Sequence, residues 1–250
     1  MITTQLKEPA ISTVNTVKHL NFSGARISAM FVSNLQDYYI AESAIVVNPN
    51  RTGILLDAQV ANIIPPFCSL IVQNARITSG ESAVVLQPTR ARNPGGIVLE
   101  PGWALYSDLI PPGGSFPRDT PLYRSSQDDI GTIAFDPATL PGQRAGSFGV
   151  TPYLVKVNLW FSPEKTDCAI HNEHAFIEIH TQVTGCGRMQ KFYANDDRTL
   201  YHDEPMSPGY TTATPFCEVV DSSTFIYPWH QYYADSDCVW MAVEYHPKPA

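Results

Sequence analysis

Proline and glycine interrupt this chain too often for long helices to survive. Twenty-one prolines and fifteen glycines fall among 250 residues, about one residue in seven. A proline inside a helix removes a hydrogen bond and clashes with the preceding turn. What lies between the breaks is short and apolar: Ala25–Val32, Tyr38–Val47, Ile54–Leu56, Ile63–Val72, Ala83–Leu86, Ile97–Leu99 and Trp103–Tyr106 in the first half. Pro65 and Pro66 make Ile63–Val72 an edge strand or a strand entry. Residues 1–20 read as an extended arm. Many short strands at near-even spacing indicate an all-β sandwich or barrel.

The segment 111–149 differs. It opens on Pro111-Pro112-Gly113-Gly114 and continues through Asp136-Pro137 and Pro141-Gly142, so it reads as an irregular linker or covering loop between a β region at 1–110 and another at 150–250. Past it, Tyr153–Phe161 is a strong strand, with Tyr153, Val155, Val157, Leu159 and Phe161 on one face. Shorter runs follow at Arg188–Tyr193, Cys217–Val220, Phe225–Tyr227 and Val239–Tyr245.

Chemistry concentrates at residues 171–187. Three histidines and two glutamates fall within ten residues, and six of the seven histidines lie after residue 170. His174, Phe176, Glu178, His180 and Gln182 share one parity, and Ala175, Ile177, Ile179, Thr181 and Val183 the other, the pattern of a strand with two unlike faces. Imidazole and carboxylate on one face suit Zn, Fe, Mn or Ni. Net charge is −8, which disfavours nucleic acid and anionic membrane as partners. No apolar run approaches the ~18 residues of a membrane span, and residues 1–20 lack the pattern of a secretion signal. Five cysteines without a CxxC pair read as reduced thiols of a cytoplasmic protein; Cys186, at the end of the His/Glu strand, is the one to watch. No nucleotide-binding glycine motif, phosphate loop or nucleophile turn occurs.

Two motifs in the second half resemble those of the cupins. Glu178, six residues and Gly185, extended by Gly187, resemble the end of the first cupin motif; Tyr227-Pro228-Trp229-His230 resembles the proline turn of the second. The likeness covers about residues 151–246. It implies a jelly-roll barrel at 150–250 with a divalent metal ion inside, Fe(II) foremost and Mn, Ni or Zn as alternatives. The implied ligands are His171, His174, Glu178 and His230, with Glu173 and then His180 as substitutes. The spacing departs from the family, His-x-x-His in place of His-x-His, and a bulge would bring both histidines inward. Leu99-Glu100-Pro101-Gly102-Trp103 resembles a second-motif turn without its histidine, so residues 1–110 are either a degenerate second cupin, making a bicupin with one metal site, or extra strands and a dimerisation face.

The resemblance implies a metal-dependent enzyme acting on a small polar metabolite, and a homodimer. An Fe(II) dioxygenase comes first, a redox-neutral lyase, isomerase or epimerase second, and a non-catalytic sugar- or effector-binding protein third. Glu173, His180, His202 and Tyr232 are the candidate catalytic residues, His202 within an acidic loop that would act as a lid. Arg188 is read either as exposed or as a bidentate carboxylate binder inside the barrel. Trp160, Trp229 and Trp240 are core or pocket wall, Trp229 the best pocket candidate, and Glu244 would support the metal ligands from behind.

Overall fold

The computed structural model describes residues 15–57, 62–89, 93–111, 113–114, 116–143, 146–212 and 217–248. The chain is all-β, as its punctuation predicts, and its named sheets are antiparallel throughout. Most of the expected arm, residues 1–14, lies outside the described residues; Thr16–His19 pairs with Ile27–Ile40.

Two 14-residue strands, Ile27–Ile40 and Ala75–Pro88, form the centre of the N-terminal sheet. The sequence reading splits the first of them, and the reason is local. Asn34 and Asp37 take left-handed backbone, at φ 56° and 50°, and interrupt the apolar alternation without shifting the register against Ala75–Pro88. Ala44–Val47 joins the other side of Ala75–Pro88, and Ser69–Val72 closes the sheet as its edge. That edge place fits the double proline just before it.

The second sheet runs Ile177–Thr184, Cys238–Pro247, Thr151–Ser162, Tyr123–Arg124 and Ala104–Leu105. Asp128–Phe135 also pairs with Thr151–Ser162, so the 111–149 segment is not irregular throughout. Ile97–Leu99 is no strand: Pro94–Leu99 forms a 3-10 helix, which proline at its first position starts. A third sheet sets Gly187–Phe192 between Leu200–Met206 and Trp229–Ala234. Among the described residues no helix is long and apolar enough to cross a membrane.

The largest core draws on both halves. Ala29, Ile45, Val47, Val84 and Leu86 share one buried cluster with Tyr153, Val155, Val157, Leu159, Val243 and Tyr245. The alternate residues Ala44, Val46, Ala83 and Val85 face a second cluster with Val32, Ile54, Ile64 and Ile77. Ala44–Val47 and Ala83–Leu86 are therefore buried on both faces, which is why they read as unbroken apolar runs. The strand Cys238–Pro247 is buried on both faces in the same way. Val239, Met241, Val243 and Tyr245 enter the shared core, while Trp240, Ala242 and Glu244 line a cavity.

Candidate metal centre

Strand Ile177–Thr184 supplies the frame. Ile177, Ile179 and Val183 pack into the shared core, which turns Glu178 and His180 towards the cavity on the opposite face. All seven residues from Ile177 to Val183 are buried, so the polar face is enclosed by protein. The segment before it does not continue the ladder. His171 instead bridges to His230, its N–H donating to the His230 carbonyl at 3.0 Å and its carbonyl accepting from the His230 N–H at 2.8 Å. His171 thus belongs to a different strand system from Glu178, and His174 lies on the loop between them. This change of ladder, and not a bulge within one strand, accommodates the His-x-x-His spacing.

The four residues meet in space. The ring nitrogens of His171, His174 and His230 lie within 4.8 Å of one another. His174 Nε2 is 3.1 Å from His230 Nε2 and 3.3 Å from Glu178 Oε1. Glu178 Oε1 is also 3.9 Å from His230 Nε2, and its other oxygen is 3.4 Å from His180 Nε2. Two tautomers are fixed by partners that can only accept. His171 Nδ1 donates to the Ala169 carbonyl and His230 Nδ1 to the Pro228 carbonyl, each at 2.8 Å. In the neutral rings Nε2 then carries the lone pair, the form in which imidazole binds a metal. Nitrogen lone pairs and a carboxylate converging on one point repel one another unless a cation or proton sits between them, so the donor set fits a divalent ion.

Tyr227 joins the two motifs. Its hydroxyl donates to the Phe176 carbonyl at 2.9 Å and accepts from the Glu178 N–H at 3.1 Å. The proline turn that delivers His230 is thereby tied to the backbone that delivers Glu178. The sequence pattern carries no sign of this role.

Burial sets the charge states. It pushes His230 down to about 3, helped by His171, and it lowers His171 as well. Burial acts to raise Glu178, but His174, His180 and His230 outweigh it and hold the carboxyl well below its usual range. In the metal-free protein these groups favour neutral pH. An unfolded histidine titrates near 6.5, so below that pH the unfolded chain binds a proton that folded His230 refuses, and stability falls as pH drops towards 3. Glu178 adds to the loss only below the ordinary carboxylate range. The slope from His230 alone is about 1.4 kcal/mol per pH unit. Urea titration of EDTA-treated protein should show about 2 kcal/mol less stability at pH 5 than at pH 8; equal midpoints at the two pH values would refute this.

The cavity around the cluster measures about 910 Å³. Its walls include Tyr106, Phe116, Trp160, Tyr232 and Trp240. Trp160 and Trp240 stack with ring centroids 6.2 Å apart and planes 8° apart. Trp229 is not among the lining residues. Glu173 lines the cavity. His202 lies outside it, on the exposed strand Leu200–Met206, 3.4 Å from Glu204. Tyr232 lines the cavity, but its hydroxyl donates to Gln182 and contacts Cys238 Sγ at 3.4 Å. Glu244 accepts from Gln127 and Asn158, each at 2.9 Å, and lies 2.8 Å from His246 Nε2. Arg188 is engaged by Asp203 and Asp235, at 2.7 and 2.8 Å. Cys186 is an exposed free thiol. The cysteine in the cavity wall is Cys168, whose thiol burial pushes up to about 12, so it stays protonated.

The chain matches no family model and no curated protein. Some solved structures resemble parts of it, three cupin proteins among them. An RmlC-like cupin protein from Desulfovibrio desulfuricans is 13% identical over 36% of this chain and 71% of its own, with a TM-score of 0.26. A cupin superfamily protein from Desulfitobacterium hafniense is 10% identical over 48% of this chain and 81% of its own, with a TM-score of 0.27. A sugar phosphate isomerase of the cupin superfamily from Silicibacter pomeroyi is 17% identical over 38% of this chain and 59% of its own, with a TM-score of 0.25. Likeness at this level implies no activity. The protein is an all-β antiparallel fold with a histidine- and glutamate-lined cavity.

Proposed function

We propose that the protein is a metal-dependent enzyme acting on a small polar metabolite, with His171, His174, Glu178 and His230 holding a divalent ion, Fe(II) in the first instance. The observation that carries this reading is the convergence of three imidazoles and one buried carboxylate at the wall of a substrate-sized cavity. When bound, the ion supplies Lewis acidity and, as Fe(II), one-electron chemistry with O₂.

The chain's own residues have definable parts. The Ala169 and Pro228 carbonyls hold His171 and His230 in the binding tautomer. His180 sits against the second oxygen of Glu178 and orients the carboxylate. The stacked tryptophans and Tyr106 form an apolar wall beside the histidine cluster, which strengthens the electrostatic contacts next to it. A dioxygenase is the first reading. Glu173 in the cavity wall favours a second, a redox-neutral lyase, isomerase or epimerase in which a carboxylate accepts a proton from the substrate.

Elemental analysis of purified protein, then substrate screening with and without O₂, tests both. Bound iron with substrate-dependent O₂ uptake is the expected result. Full turnover under nitrogen would replace the dioxygenase with the second reading, and protein that takes up no divalent metal would overturn both. The homodimer belongs to this proposal as well and is read by light scattering.

A further inference from the structure

Among the described residues that line the cavity, one arginine, Arg124, is not used by the proposed metal centre. Arg124 lies on the two-residue strand Tyr123–Arg124, directly opposite Trp160 in the sheet register. Its guanidinium carbon is 5.8 Å from the centroid of the Trp160 ring. Its side chain lines the same cavity as His171, His174, Glu178 and His230. Its Nε is buried and has no hydrogen-bond partner, and Arg124 forms no ion pair among the described residues.

Three other arginines are held by carboxylates. Arg26 pairs with Glu100, Arg188 with Asp203 and Asp235, and Arg198 with Asp196. The buried carboxylates of the cavity are also committed: Glu178 to the histidines, Glu244 to Gln127, Asn158 and His246. A buried guanidinium donor without an acceptor is costly. Leaving one in a ligand-sized space, braced against an indole face, is reasonable if an acceptor arrives with the ligand.

We propose that Arg124 is the anchor for a carboxylate on the substrate, so that the substrate class is a small carboxylic acid with a planar or apolar body. The fork formed by Nε and a terminal nitrogen matches a carboxylate with two parallel hydrogen bonds. The aromatic wall of Tyr106, Phe116 and Trp160 takes the body of the molecule, and the far end reaches the histidine cluster. This assignment deepens the proposed function and rests on the same cavity, but the anchor itself does not require the metal.

Binding of matched probes tests it. Benzoate and benzamide, and phenylacetate and phenylacetamide, are titrated into metal-free and Zn-loaded protein, with tryptophan fluorescence as the readout. Each acid is expected to bind at least ~10-fold more tightly than its amide, since a charge-assisted hydrogen bond outweighs a neutral one. R124Q should abolish the preference and R124K should retain part of it, with thermal melting showing that both variants fold. Equal binding of acid and amide, binding of neither, or a preference that survives in R124Q would overturn the assignment. A preference in metal-free protein that never takes up metal would keep Arg124 as the anchor while removing the metal reading. Metal uptake without a preference would do the reverse.

Discussion

His230→Ala is expected to leave the protein folded and unable to retain a metal ion. His230 is 2% exposed, and its Nε2 lies within 4 Å of both His174 and Glu178. Truncation therefore removes one of three imidazoles from the centre of the cluster. Loss of a group that merely supports a ligand costs about 10–100-fold in metal affinity, so loss of the ligand itself should exceed ~100-fold. The fold should persist because the contacts between the two motifs, the 171–230 backbone pair and the Tyr227 hydroxyl, do not use the His230 ring. The paired hydrogen bonds between residues 171 and 230 do not involve the imidazole. The space left behind opens on a polar site where water can replace the ring. Metal content after dialysis, read by mass spectrometry beside a thermal melt, decides the matter. Wild-type stoichiometry in the variant would remove His230 from the ligand set.

Gly185→Ala should be the most destabilising methyl group that can be added near the site. Gly185 has φ +68°, and a Cβ there would lie 2.2 Å from the Asp237 carbonyl oxygen and 2.8 Å from Cys238 Cβ. Left-handed backbone costs a non-glycine residue about 1–2 kcal/mol, and a clash with main chain cannot be relieved by a rotamer change. Together these should cost at least about 3 kcal/mol and lower Tm by on the order of 6–12 °C for a chain of this size. Gly142→Ala is the control. Its φ is +82°, and no described residue lies within 4 Å of its Cβ position, so the backbone cost dominates. Calorimetry should find the Gly185 variant several degrees below the Gly142 variant. Equal Tm values would mean that the turn after Thr184 yields.

The sequence was informative where one element carries the whole signal. Tyr153, Val155, Val157, Leu159 and Phe161 alternate within one strand, and they do share one buried face. Glu178 and His180 have the parity that turns them from the core. Legibility ended where a residue's position depends on a distant partner. Arg124 sits on a two-residue strand paired with Trp160 and Phe161 on one side and with Ala104 and Leu105 on the other, and none of these lies close enough in sequence to form a pattern with it. The stacking of Trp160 on Trp240 likewise depends on the register between two strands about 80 positions apart. The spacing of His171 and His174 looked irregular because His171 bridges to His230 while His174 lies on the loop that follows. Ile97–Leu99 was too short for its composition to separate a strand from a helical turn.

Tyr245 stands next to Glu244 and donates its hydroxyl to the Pro49 carbonyl at 2.8 Å, while its ring packs edge-on against Phe67. A strand that carries cavity residues on one face is thus bolted to the histidine-poor half on the other. Among the described residues none of the first hundred lines the cavity, yet they pack against the back of the strand that forms part of its wall. Ile45 and Leu86 share one packed body with Val243 and Tyr245, so a cavity opened beneath them would remove support from the strand that carries Ala242 and Glu244.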